Sequence, residues 1–214
     1  MNIINNKDIA IIKQQLAEEL CKNIVTFEAL LLEQEQKVVK WQFANDEFYS
    51  PIPFYHELNK LKQGRLLKDI EFADRFNRAN VFSFGFSEDT RLLLMQKSNG
   101  KDLGVNSKVY EYKKNGIVQY FTICTYYSRR LPNKLISLGI LTPITNDIQI
   151  DLVLSSNKQN WAVTVYKYER GLVTKSYRYS EGWNGQTEYD YIYNQGLLER
   201  IKIGTIDWWR SPKL

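Results

Sequence analysis

The sequence predicts an α+β protein in which N-terminal helices pack on one face of a large antiparallel β-sheet. Apolar residues recur three and four positions apart from Ile9 to Leu31, which is the spacing of one face of an α-helix. From residue 81 onward the apolar period changes to two, as in β-strands, with no helical pattern between the strands. We therefore expect a mainly helical segment at 1-80 and a sheet region at 81-214, both within one integrated domain. A sheet of this size is able to curve strongly.

The helical part begins with a stripe of apolar side chains. Its positions are Ile9, Ile12, Leu16, Leu20, Ile24, Phe27 and Leu31. Asn5 or Asn6 suits the N-cap, and Asp8 then lies in the first turn, where a negative charge interacts favourably with the helix dipole. Residues 38–43 fit either a short strand or the end of a helix. Prolines at 51 and 53 interrupt regular structure, and further helices are predicted at 54–62 and 69–78.

The sheet part consists of short alternating segments separated by turn residues. The predicted strands are 81–86, 91–96, 109–113, 117–127, 148–154, 161–168, 172–179, 187–193 and 197–203. Asn115-Gly116, between two of them, is the strongest short signal for a β-hairpin. Residues 131–146 contain two prolines and fit a less regular connection. Consecutive strands joined by short turns predict an antiparallel meander.

Composition excludes several classes of protein. Cys21 and Cys124 are too few for a disulfide framework or a cysteine metal motif, and His56, the single histidine, excludes most zinc enzymes. No apolar run approaches the roughly 20 residues of a membrane span. Residues 1–8 do not resemble a signal peptide, so we expect a cytoplasmic protein. The net charge of +5 is diffuse, which does not favour a nucleic-acid partner, and no cofactor or metal is expected.

The aromatic residues, 14% of the chain, fall into two populations. Nine of the ten phenylalanines lie at or before Phe86, whereas twelve of the fourteen tyrosines lie at or after Tyr110. The tyrosines include a unit Y-x-Y-x-x-G at 166–171, 177–182 and 191–196, and a copy at 110–116 carries one extra residue. Tyrosines two apart on a strand share a face, and glycine supplies the positive φ of a tight turn. The unit therefore predicts a strand end followed by a hairpin turn.

This pattern resembles the aromatic-and-glycine hairpin repeats of YD-repeat and MORN-type proteins. The stretch that resembles them most is Tyr189-Asp-Tyr-Ile-Tyr-Asn-Gln-Gly-Leu-Leu198. The order of helices followed by sheet is also similar to that of the small cytoplasmic immunity proteins of bacterial polymorphic toxin systems. The resemblance implies a non-enzymatic protein that binds another protein, an immunity or antitoxin protein that occludes a toxin domain. No motif of these families assigns a role to a particular residue here.

The repeated tyrosines and the tryptophans near the C-terminus are the candidate partner-binding residues. They are Tyr166, Tyr168, Tyr177, Tyr179, Trp183, Tyr189, Tyr191, Tyr193, Trp208 and Trp209. If the meander pairs sequentially, the tyrosines align across neighbouring strands. Such a ladder is either a structural feature of the sheet or an exposed recognition surface, because tyrosine is enriched in protein interfaces.

Two alternatives to a protein-binding role remain open. Glu88 and Asp89, together with Glu111-Tyr-Lys113, resemble the acidic residues and E-x-K of Mg²⁺-dependent nucleases, in which carboxylates hold the metal and lysine orients water. The pattern arises readily by chance, so we lean against an enzyme. The other alternative is a carbohydrate- or lipid-binding module with an aromatic-lined sheet. A concave pocket lined by Tyr and Trp would favour that module, and a flat or convex face would favour a protein partner.

Overall fold

The computed structural model describes residues 7–23, 26–126, 132–181 and 185–212. Within these ranges the chain forms one sheet of 13 strands, together with helices near the N-terminus. Every strand pair is antiparallel. The structure confirms an α+β fold with a large antiparallel sheet. In the described part of the chain no helix is long and apolar enough to cross a membrane.

The strands follow one another across the sheet almost without exception. They are β1 (Lys40–Ala44), β2 (Leu66–Leu67), β3 (Phe82–Phe86), β4 (Leu92–Ser98), β5 (Val105–Tyr112), β6 (Val118–Thr125), β7 (Lys134–Thr145), β8 (Ile148–Ser155), β9 (Trp161–Glu169), β10 (Leu172–Ser180), β11 (Thr187–Asn194), β12 (Leu197–Ile203) and β13 (Ile206–Arg210). Sequential pairing runs from β13 to β3, after which β1 and then β2 complete the sheet. The sheet is open, since β13 and β2 lie at its two ends.

The predicted apolar stripe is divided between two helices. Helix α1 spans Lys7–Asn23 and α2 spans Phe27–Gln36, and Asp8 lies in the first turn of α1 as expected. The proposed N-cap residues Asn5 and Asn6, and Ile24 of the stripe, lie outside the described residues. The buried stripe side chains belong to one hydrophobic cluster that also contains sheet residues such as Leu94, Phe121, Leu138 and Leu152.

The two shorter helices differ from the prediction. Helix α3 is a single turn, Tyr55–Leu58, and Phe54 before it has a positive φ of 51°. The segment predicted as a helix at 69–78 holds only a 3₁₀ turn at Phe72–Asp74. Residues 131–146, expected to be an irregular connection, instead provide β7. Pro143 has no backbone N–H to donate within that strand. The register with β8 shifts between Pro143 and Thr145, so the regular ladder of hydrogen bonds is already interrupted beside the proline.

The two faces of the sheet carry different buried clusters. The face covered by α1 and α2 is called the helix face, and the opposite one the aromatic face. The cluster on the aromatic face includes Phe82, Phe84, Tyr110, Tyr120, Tyr166, Tyr189 and Tyr191. Ile52 and Leu58 belong to the same cluster, so the segment containing α3 lies against this aromatic face.

Three copies of the tyrosine-glycine unit end in turns of the predicted kind. The residue pairs Asn115-Gly116, Arg170-Gly171 and Gln195-Gly196 all have positive φ at both positions. The extra residue of the copy at 110–116 corresponds to a longer loop, since Tyr112 pairs with Val118, whereas Glu169 pairs directly with Leu172. These turns join β5 to β6, β9 to β10 and β11 to β12, so all three lie at the same end of the sheet. The turn at Gly182 lies outside the described residues.

Candidate functional site

The tyrosines named from the sequence differ in how far they are exposed. Tyr166, Tyr177, Tyr189 and Tyr191 are buried. The side chains of Tyr168, Tyr179, Tyr193, Trp208 and Trp209 are half-buried, and Trp183 lies outside the described residues. A partner could reach the half-buried group directly. The binding role of that group stays a prediction, whereas the four buried tyrosines contribute to the core in this conformation.

The tyrosines do not share one face of the sheet. Tyr166 pairs with Ser176, and Ser176 pairs with Tyr189, so these side chains point to the aromatic face. Tyr177 belongs instead to the cluster on the helix face. The cause is a register shift between Val173 and Lys175, because one extra residue in a strand reverses the direction of every later side chain. Without it, Tyr177 would lie on the same face as Tyr166.

A polar pocket lies on the aromatic face, between the sheet and the segment that contains α3. Its volume is about 260 Å³. The side chains that give it chemical character are Tyr55, Lys108, Tyr120, Asp151, Thr164 and Arg178, with Tyr166 in its wall. We call this cavity the polar pocket. It combines two cationic groups, one carboxylate and three phenol rings, all from strands except Tyr55 of α3, which suits specific recognition of a small ligand.

Asp151 is the most unusual group in the polar pocket. It is 8% exposed and accepts a 2.6 Å hydrogen bond from the Tyr120 hydroxyl. Burial raises the pKa of Asp151 to about 6, although the Tyr120 hydrogen bond and the nearby Arg178 and Lys108 act in the opposite direction. Gly139 makes this pairing possible, because a Cβ there would lie 2.2 Å from Cζ of Tyr120. A bulkier residue at 139 would displace the ring.

Lys108 is already held by the segment that covers the pocket. Its Nζ donates to Oε1 of Glu47 at 3.3 Å and to the Tyr55 hydroxyl at 3.2 Å. The lysine and glutamate side chains are 19% and 12% exposed, so the pair is shielded from solvent. Because Lys108 has a carboxylate partner, its charge is largely compensated before any ligand binds.

Arg178 differs from Lys108 in having only neutral partners for its guanidinium among the described residues. Its Nη1 donates to Oδ1 of Asn59 at 3.0 Å, and it also hydrogen-bonds the Tyr189 side chain. In the register of the sheet, Asp151 pairs with Thr164 and Thr164 with Arg178. The two residues therefore lie two strands apart, roughly 9–10 Å between backbones, with Thr164 between them. The Arg178 charge is near enough to lower the pKa of Asp151.

Sequence reasoning named Tyr166 but missed most of the polar pocket. Asp151 gave no sequence signal, because in Ile148–Ser155 it alternates with Ile150 and Leu152, as a residue on the polar face of a strand does. Only the structure shows that it is buried, and a buried charge must be paired or functional. Lys108 and Arg178 also gave no signal, because their strands contain several other polar residues.

The residues of the nuclease alternative are only partly brought together. Asp89, Glu111 and Lys113 line one surface pocket of about 280 Å³, whereas Glu88 lines a different one. Asp89 pairs with Arg91 at 2.9 Å and accepts a hydrogen bond from Ser87. Among the described residues, no group of three or more His, Cys, Asp or Glu side chains is placed to hold a metal ion. The nuclease alternative stays a prediction, for which the described residues form no such group.

Comparison of the chain with protein-family models, with curated proteins and with solved structures gave no match. Inference about function therefore depends on the geometry and chemistry of the sites themselves.

Proposed function

We propose that the protein is a non-enzymatic binding protein whose polar pocket binds a small zwitterion of the amino-acid class. The observation that carries this proposal is the separation of Asp151 and Arg178 on either side of Thr164. The ammonium group of such a molecule complements the Asp151 carboxylate, and its carboxylate complements the Arg178 guanidinium. Because Asp151 is buried and Arg178 is half-buried, such pairing would be stronger than it is at an open surface.

The rest of the polar pocket supports this orientation. The Tyr120 hydroxyl holds Oδ1 of Asp151, which leaves the other carboxylate oxygen for an ammonium group. Arg178 has further N–H groups beyond the one that Asn59 accepts, and a guanidinium pairs well with a ligand carboxylate. The phenol rings of Tyr55 and Tyr166 provide an apolar wall for a side chain. This aromatic, concave arrangement favours a small ligand over a flat protein contact.

Calorimetric titration with a panel of amino acids tests the proposal. Binding should weaken about tenfold or more in Asp151→Asn and in Arg178→Gln, since each removes one charged contact. Asp89→Asn and Arg91→Gln are matched controls, because they remove an exposed charge pair elsewhere on the protein. Acetate and methylammonium should bind far more weakly than the zwitterions. Failure of every amino acid to bind, or equal binding by the Arg178 variant, would contradict the proposal.

A protein partner is the second proposal, and the free edge of the sheet favours it. β13 has a neighbour on one side only, carries the half-buried Trp208 and Trp209, and leaves Ile206 69% exposed. An edge strand can pair with a strand of another protein, and tryptophan is enriched at such contacts. In this proposal the chain is an immunity or antitoxin protein of the bacterial cytoplasm that occludes a toxin domain.

Co-purification with the product of the adjacent gene tests the second proposal, if that gene encodes a large secreted toxin. Ile206→Lys should abolish the complex, because it places a charge in the apolar contact. Leu66→Lys is the matched control, since Leu66 is 45% exposed on β2 at the opposite edge. A complex that survives Ile206→Lys unchanged would exclude β13 as the contact.

A further inference from the structure

A second cavity lies on the helix face of the sheet, beneath α2. We call it the α2 pocket; its volume is about 290 Å³. Leu31 of α2 forms one wall, and Gln96 of β4, Ser107 of β5, and Ile123 and Thr125 of β6 form the other. Gln96 pairs directly with Ser107, and Ser107 with Ile123, so these side chains point to the same side of the sheet. The α2 pocket is therefore separate from the polar pocket.

Three side-chain oxygens of the α2 pocket have no hydrogen-bond partner among the described residues. They are Oε1 of Gln96, Oγ of Ser107 and Oγ1 of Thr125. Gln96 is 4% exposed and Ser107 is 1% exposed. Buried polar groups of native proteins are almost always hydrogen-bonded, and three unpartnered ones around one cavity form an unusual concentration. Such an arrangement suits a bound molecule that supplies the missing partners.

The charged side chains that line the α2 pocket already have partners. Glu35 pairs with Arg75 at 3.2 Å, and Glu28 accepts a 2.6 Å hydrogen bond from Asn133. The wall formed by the sheet offers an amide and two hydroxyl groups beside the apolar Ile123, and Leu31 lies on the side of α2. Transfer of a charged ligand into these surroundings would cost more free energy than its contacts return. The matching ligand is neutral, carries several hydroxyl groups and has one apolar face.

We propose that the α2 pocket binds a small neutral polyhydroxylated molecule of the monosaccharide class. The hydroxyl groups of the ligand would donate to Gln96 Oε1 and exchange hydrogen bonds with Ser107 and Thr125. The apolar face of the sugar ring would lie against Leu31 and Ile123. The cavity is far larger than the roughly 30 Å³ that one water molecule takes in the liquid, so it has room for more than a single water.

Ligand-observed NMR and calorimetry on the full chain test this proposal, with D-glucose, D-galactose and myo-inositol as probes. At least one probe should bind the wild type. Ser107→Ala and Thr125→Val should each weaken binding about tenfold, because each removes a hydroxyl group and changes little else. Ser83→Ala is the matched control: its hydroxyl is also buried and unpartnered, its residue pairs with Gln96, but it does not line the cavity. Thermal unfolding shows whether each variant is folded.

The outcomes separate this site from the polar pocket. Arg178→Gln should leave sugar binding unchanged, and amino acids should not compete with the bound probe. If no probe binds the wild type, the α2 pocket holds water only and the proposal is overturned. The same conclusion follows if Ser107→Ala and Thr125→Val bind as tightly as Ser83→Ala. If the wild-type protein binds a sugar probe but no amino acid, the proposed function is contradicted and this inference stands.

Discussion

The hydroxyl of Tyr120 donates a 2.6 Å hydrogen bond to Oδ1 of Asp151, although the two residues lie on β6 and β8 with a whole strand between them. The ring crosses that intervening strand at Gly139, the one glycine of β7. Burial raises the pKa of both groups, that of Asp151 to about 6 and that of Tyr120 well above its usual value. Three consecutive strands thus contribute to one buried polar pair at the floor of the polar pocket.

Gly139→Ala should destabilise the protein by about 1–3 kcal/mol, because the new methyl group would overlap the Tyr120 ring. Urea denaturation measures the change in the free energy of unfolding. If the ring is the cause, the same substitution should cost much less in a Tyr120→Ala background, and the double-mutant cycle isolates that coupling. An equal cost in both backgrounds would show that the strand backbone, and not the ring, requires glycine.

Asp151 should make the protein less stable as the pH rises from 3.8 to 6. Its folded pKa lies above its ordinary value of 3.8, so between these pH values the folded state binds more protons than the unfolded state. The contribution of Asp151 to the stability of the fold is complete below pH 3.8 and is lost as the pH rises through the folded pKa. Asp151→Asn keeps an acceptor for Tyr120 and removes the titration. Between pH 3.8 and 6, the free energy of unfolding of this variant should rise relative to that of the wild type by on the order of 2–3 kcal/mol. Parallel denaturation curves of the two proteins at each pH check the result.

Tyr120→Phe should raise the pKa of Asp151 further, because the hydrogen bond from Tyr120 is what most opposes the effect of burial. The loss of the donor should also destabilise the fold by about 1–3 kcal/mol. The carboxyl ¹³C resonance of Asp151, followed through a pH titration, reports the change directly. Tyr168→Phe is the matched control, since its hydroxyl donates to Gln149 at 2.7 Å. That variant should leave the titration of Asp151 unaltered.

Gln195→Asn should stabilise the β11–β12 hairpin by a few tenths to about 1 kcal/mol. Gln195 has a φ of 50° and precedes Gly196 at 80°, and Asn-Gly is the preferred pair for a two-residue turn of this kind. Gln159→Asn makes the same chemical change at an exposed position whose φ is not positive, so it should have almost no effect. Thermal unfolding compares the two. An equal gain in thermal stability from both substitutions would mean that the positive φ of the turn is not the cause of the stabilisation.

Local patterns of the sequence were enough to predict the fold class. The helical spacing from Ile9 to Leu20 and the Asn115-Gly116 turn depend on neighbours in the chain, and both appear as expected. The strand at 134–145 was missed because Pro143 is usually a sign of irregular structure. Only the register with β8 reveals how the strand accommodates it.

The polar pocket depended on relationships that no local pattern contains. Tyr177 lies away from Tyr166 because of one extra residue between Val173 and Lys175, and a single-residue bulge leaves no mark on composition or period. The link between Arg178 and Asn59 joins residues 119 positions apart. Alternation places Asp151 opposite the apolar Ile150 and Leu152, on a face that the sequence predicts to be polar, and it shows neither that this face is covered nor which cations lie near Asp151.

The neighbour-by-neighbour order of the strands has a consequence for how the molecule assembles. From β3 to β13 each strand pairs with the one that follows it in the chain, so most of the sheet can grow by adding one hairpin at a time. The α3 segment does not follow this order, since Leu58 accepts a hydrogen bond from Trp208, 150 residues away. Closing that long loop costs chain entropy that the hairpins do not. We therefore expect the polar pocket to be completed only after the hairpins that supply its strands have formed, so that the capacity to bind a ligand is acquired late in folding.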